Sequence, residues 1–252
     1  MMPPPSRRAV IGRGAAPGDP RRSIDGGTTT EEQEAAWKRL ATEIDGELIT
    51  RRERGRRFLG RHMQLAVVAK VGTFPIALDL KLEAGADTVP SWFVTRIRAP
   101  YVARDAFSFS VQRVRARLSD GALLRGMAKL SGRHKVEAGD LGFDRDFLIT
   151  ANDTAKARAL LADPRIRGLI QSQPSLDISA ARPTWRLFKR SGSQRLSVLR
   201  FEEEGVITDV ERLKSLFELI QETLNQLCQI GSASQEEPTP ETLSSYRRDW
   251  LE

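Results

Sequence analysis

The chain has 252 residues, 40% of them apolar and 29% charged, and its 40 lysines and arginines against 33 aspartates and glutamates give a formal net charge of +7. That apolar share is enough to bury a core, so the chain as a whole is not expected to be disordered. The single cysteine, Cys228, and the two histidines, His62 and His134, exclude an internal disulfide and are too few for a structural zinc site.

Charge is uneven along the chain. From residue 201 onward 12 acids oppose 4 bases, whereas residues 1–200 hold 36 bases and 21 acids. Either the basic body meets an external polyanion, or the acidic end folds back against it. No window approaches the length of apolar run that a transmembrane helix requires. The opening MMPPPSRRAVIGRGAAPGDPRRS has arginines but no apolar core of a secretory signal. A cytoplasmic protein is the expectation.

Residues 1–29 are rich in Pro, Gly and Arg without a core-forming period and read as a disordered arm. Thr30 with Gln33 forms a capping box. Trp37, Leu40, Ala41 and Ile44 then make one helical stripe that ends at Gly46. Arg51 to His62 carries six arginines and one glutamate. Guanidinium groups bind phosphate oxygens bidentately, so Arg51, Arg52, Arg54, Arg56 and Arg57 are anion-binding candidates. Phe58 alone interleaves them, which is poor provision for stacking bases.

Strands are expected at Gln64–Val71 and Phe74–Leu82, joined by a Gly72-Thr73 hairpin turn, and at Trp92–Arg98, closed by Ala99-Pro100. Arg96 and Arg98 share one face of that strand. They join the anion-binding candidates if the strands lie side by side, with pairing to Asp79 or Asp105 as the alternative. Phe107–Arg115 alternates like an antiparallel strand with one buried face. Residues 116–142 hold apolar positions for a short helix, interrupted near Gly126.

The most patterned stretch is FDRDFLITANDTAKARALLADPRIRGLIQSQP, Phe143 to Pro174. Alternation predicts a strand over Phe143–Thr150, Asn152-Asp153 caps a short helix, and Asp163-Pro164 ends it and starts another. On such a strand Asp144 and Asp146 would point the same way about 6–7 Å apart, as a metal site or an acid–base pair requires. A third ligand is not identifiable. Leu176–Ser179, Thr184–Lys189 and Arg195–Glu202 follow as a meander of strands. Thr208 with Glu211 opens the longest helix, whose stripe of Val210, Leu213, Phe217, Ile220, Leu224 and Leu227 suits packing on the protein's own sheet, or pairing with a second copy. Cys228 sits beside that stripe as a small apolar residue.

The expected architecture is an α+β domain over residues 30–232: an antiparallel sheet packed by an N-terminal helix, two short consecutive helices and a long C-terminal helix. Residues 233–252 read as a polar tail. GxxxxGK[ST], GxGxxG and GxSxG are all absent, and no cofactor is expected. Neither histidine has a neighbouring Ser or Cys that would suggest a catalytic triad.

RIRAPYVARDAFSFSVQR, the Phe143–Pro174 stretch and GVITDVERLKSLFELIQETLNQLCQIGSA resemble blocks of a group of uncharacterised bacterial proteins, and WKRLATEIDGEL is similar to that group's opening helix. The resemblance spans most of residues 37–233 and implies one continuous domain without bringing catalytic residues. Three functions follow as expectations. The first is a non-enzymatic binding or scaffolding module engaging a protein partner or an anionic surface. The alternatives are a metal-dependent enzyme using Asp144 and Asp146, and non-specific nucleic-acid binding.

Overall fold

A computed structural model describes residues 31–52, 63–83, 91–114, 132–181 and 194–240. The arm at 1–29, the arginines at 54, 56 and 57, the helix expected within 116–131 and the strand at 184–189 lie outside these residues. The described chain runs α1 (Glu31–Glu43), β1 (Glu47–Arg52), β2 (Met63–Val71), β3 (Phe74–Glu83), β4 (Trp92–Val102), β5 (Phe109–Arg113), β6 (His134–Val136), α2 (Leu141–Asp146), β7 (Phe147–Ala151), α3 (Thr154–Leu161), α4 (Pro164–Ser172), β8 (Asp177–Ala181), β9 (Leu196–Glu204) and α5 (Val210–Gln229). The class is α+β, with an antiparallel sheet in the order β1-β2-β3-β4-β9-β8-β5-β7-β6.

The first four strands form a meander. Gly72, at φ +61°, makes the expected two-residue turn between β2 and β3, a conformation an L side chain rarely adopts. Beyond β4 the chain leaves the edge, and β9 and β8 return to fill the space between β4 and β5. The Trp92 strand does not stop at Ala99-Pro100 but continues to Val102 along β9. Pairing with β3 ends at Arg98, and the Ala103 N–H beyond it donates towards β9. Alternation therefore points the nitrogen of Pro100 away from β9, where no ladder bond is missed.

Strand alternation sends Leu65, Val67, Ile76, Leu78, Ile97, Tyr101, Val111, Ile149, Ile178, Leu199 and Phe201 to one face, where they share a core with the helices. On α5, Leu213, Leu216, Phe217, Ile220, Leu224 and Leu227 are all buried in that core. Its apolar stripe is thus covered by the chain's own sheet and by α1, α3 and α4. The helix starts one residue later than expected: Asp209, not Thr208, is the cap and accepts from Arg212 N–H at 3.1 Å. Trp37 of α1 is fully buried, and its Nε1 donates to the Ile207 carbonyl at 3.0 Å, tying α1 to the segment that leads into α5.

The expected caps Asp153 and Asp163 are observed, with Pro164 in the first turn of α4. The expected strand over Phe143–Thr150 is corrected. Residues 141–146 form α2, capped by Asp140, which accepts from the Gly142 and Phe143 N–H groups, and the strand begins at Phe147. The rings of Phe143 and Phe147 stack 4.6 Å apart, an i,i+4 contact made where the helix joins the strand. The chain also stays packed past residue 232: Ala233 and Ser234 are buried, and Ser234 N–H donates to Val102 at 2.9 Å.

Candidate functional site

The strand register places two rows of polar side chains across the far face of the sheet, opposite the helices. One row reads Asp79, Arg96 and Glu202 across β3, β4 and β9. Asp177 of β8 carries it on, with Gln112 of β5 opposite. The next row reads Arg98, Arg200, Ser179, Ser110, Thr150 and Lys135, crossing β4, β9, β8, β5, β7 and β6. Alternate residues on a strand are about 6–7 Å apart, which sets the spacing of the rows.

Where the first row approaches the ends of β3, β4 and β9, a cleft of about 440 Å³ opens. Its walls include Trp92 and Val94 of β4, Gln112 and Arg113 of β5, and the carboxylates of Glu83, Asp177, Glu202, Glu203 and Glu204. Glu203 is matched by Arg212, at 3.0 Å for one of its two contacts, and Glu83 by Lys81. Glu204 is exposed and makes no ion pair among the described residues. Arg200 reaches Glu202 only at 4.0 Å.

Asp177 is partly buried. Burial, and then the charge of Glu202, pushes its pKa up, against the Gln112 amide that donates to Oδ2 at 2.9 Å and the charge of Arg200. A partly buried carboxylate with an amide as its direct partner is better stabilised by a cation brought in from outside. Trp92, 37% exposed at the mouth, supplies an aromatic face of the kind that attracts ammonium and guanidinium groups. Arg113 is turned aside: it donates to the Gln171 carbonyl at 2.8 Å and lies 4.6 Å from the centre of the Phe147 ring.

Arg96, Arg98, Asp144 and Asp146, singled out in the sequence, do not line this cleft. Arg96 makes a bidentate pair with Asp79, at 2.9 and 3.0 Å, and Arg98 contacts the same carboxylate. Arg51 and Arg52 are on β1, and β2 and β3 stand between that strand and β4. The strand that carries Arg51 and Arg52 is therefore not adjacent to the one that carries Arg96 and Arg98.

Asp144 and Asp146 belong to α2, where residues two apart point in different directions. Asp144 accepts from the Ala138 and Gly139 N–H groups, at 2.7 and 3.1 Å, and Asp146 accepts from Arg145 at 2.9 Å. Among the described residues no three His, Cys, Asp or Glu side chains are grouped so as to hold a metal. His134 is an exposed residue of β6. Cys228 is partly buried against the core, and burial raises its thiol pKa.

Sequence reading did not single out Trp92, Asp177 or the Glu202–Glu204 run. The run itself was visible, and three carboxylates at a strand end are the one local signal of the cleft. No helix among the described residues is long and apolar enough to cross a membrane. A comparison with protein-family models gives no match, and neither does a comparison with curated proteins.

Proposed function

We propose that the protein is a non-enzymatic binding module that takes a basic segment of a protein partner into the cleft between β4, β9, β8 and β5. The observation that carries this reading is the pairing of Trp92 with the carboxylates of Asp177, Glu202 and Glu204 around one concave site. A lysine or arginine side chain entering there meets an aromatic face and carboxylates that the chain's own arginines leave undermatched. Its apolar stem would lie against Val94 and Leu176, which also line the cleft. We further propose a cytoplasmic location, a compartment that suits the lone Cys228.

Calorimetric titration of the full chain with a lysine- and arginine-rich peptide tests the reading, with an acidic peptide of equal length as control. Saturable binding of the basic peptide alone supports it. Equal binding of both peptides, or of neither, rejects it.

A further inference from the structure

The second row on the far face contains no carboxylate. Arg98 and Arg200 stand directly opposite each other on β4 and β9, an arrangement of like charges that ordinarily destabilises a strand pair. Asp79 holds Arg98. Arg200 is held less firmly: its Nε donates to Ser179 Oγ at 3.0 Å, and Glu202 is 4.0 Å away.

A third guanidinium reaches the same region from the segment before β6. Arg133 Nε donates to Ser108 Oγ at 3.3 Å, and its Nη2 donates to the Ala180 carbonyl at 3.4 Å. It makes no ion pair with a carboxylate among the described residues. Burial, and then the charge of Arg200, pulls its pKa below the ordinary arginine value. The two arginines thus lie within each other's field, with hydroxyl and carbonyl oxygens as their short-range partners. A guanidinium carries five N–H donors in one plane, so both retain donors beyond those bonds.

We infer that this row is a site for a phosphate-type oxyanion, held by Arg133 and Arg200 over the hydroxyls of Ser179 and Ser110. An anion between the two guanidinium groups removes their mutual repulsion and matches their bidentate geometry. Ser179 and Ser110 are only 5% and 9% exposed, so they offer hydroxyls with little competition from water. The Arg200 side chain is 52% exposed, which leaves an approach from solvent. The anion is either free phosphate or the phosphoryl group of a small monoester. None of Arg133, Arg200, Ser179 and Ser110 lines the acidic cleft, and Arg200 stands 4.0 Å from Glu202 on its wall; the two readings are told apart by their probes, a basic peptide for the cleft and phosphate for this row.

The full chain is titrated at low ionic strength, in a phosphate-free buffer, with inorganic phosphate and separately with phosphoserine. Saturable binding of inorganic phosphate is expected, weakened at least about tenfold by Arg133→Gln and by Arg200→Gln. Arg165→Gln should leave it unchanged, because Arg165 is exposed on α4 and pairs with Glu218 at 2.7 Å. Comparable binding of phosphoserine assigns the site to monoesters, and binding of inorganic phosphate alone assigns it to the free anion. Arg200→Gln alters a half-exposed side chain, so it tests the site without removing a buried group. No saturable binding of either probe to the parent, or full binding retained by both variants, overturns the inference.

Discussion

Asp79 on β3 grips Arg96 on β4 through two parallel hydrogen bonds, of 2.9 and 3.0 Å, and the same carboxylate also contacts Arg98. Asp79 and Arg98 are 7% and 8% exposed. Removing one partner of a buried ionic group is costly because the remaining charge stays desolvated, at about 3 kcal/mol or more. Here a single carboxylate serves two guanidinium groups. Asp79→Asn is therefore expected to lower the unfolding free energy by about 3 kcal/mol in urea denaturation. A variant as stable as the parent would show that the trio contributes little.

A second ionic cluster makes a pH-dependent contribution. Burial alone would raise the Asp105 pKa, but the Lys156 ammonium, the Phe107 N–H and the Ser232 hydroxyl together hold it below its ordinary value. These contacts join the segment after β4 to α3 and to the turn after α5. A carboxylate with a depressed folded pKa contributes stability above its unfolded value of about 3.9, and that contribution is lost as pH falls through the folded value. The stability difference between the parent and Lys156→Met is expected to be constant above about pH 5 and to shrink in more acid solution. Unfolding curves across the acid range check this. A difference independent of pH would contradict it.

Asp144 bonds to two backbone N–H groups just before α2. Its loss leaves donors unpartnered, so Asp144→Ala is expected to cost about 1.5 kcal/mol in metal-free buffer. Divalent cations should neither stabilise the parent nor rescue the variant. Thermal melts with and without magnesium or manganese measure both. A cation-dependent rise in the parent that disappears in the variant would support the metal reading instead.

Peptide binding in the cleft should carry the signature of Asp177. Burial, with the charge of Glu202, raises its pKa. A bound cation favours the ionised form, so affinity is full above the raised value and falls as pH drops through it. The decline should begin at a higher pH than the ordinary aspartate value of about 3.9 would give. Asp177→Asn is expected to bind more weakly at neutral pH and to show a flatter profile. Unchanged profiles in the two proteins would remove Asp177 from the site.

Features encoded within a few residues were legible in the sequence. The Gly72-Thr73 turn, the Asp153 cap, the Asp163-Pro164 break and the stripe of α5 each depend on local geometry. The α2 segment was not, because Phe143 and Phe147 satisfy strand alternation and helical i,i+4 spacing equally well. Asp140, a cap residue just before Leu141, was the discriminating signal. The cleft depends on five strands and the segment before β8: Glu83, Trp92, Gln112, Asp177 and Glu202 meet only because β9 and β8 return between β4 and β5. No pattern within one element encodes that return, and the charge asymmetry of the chain pointed instead to the arginines.

The location of the basic peptide on the folded chain tests the central claim most directly. Backbone amide shifts would be followed during its titration. The account requires the largest changes at Trp92, Gln112, Asp177, Glu202 and Glu204, and at the indole N–H of Trp92. Saturable changes confined to other surfaces, or no changes at low salt, would contradict it.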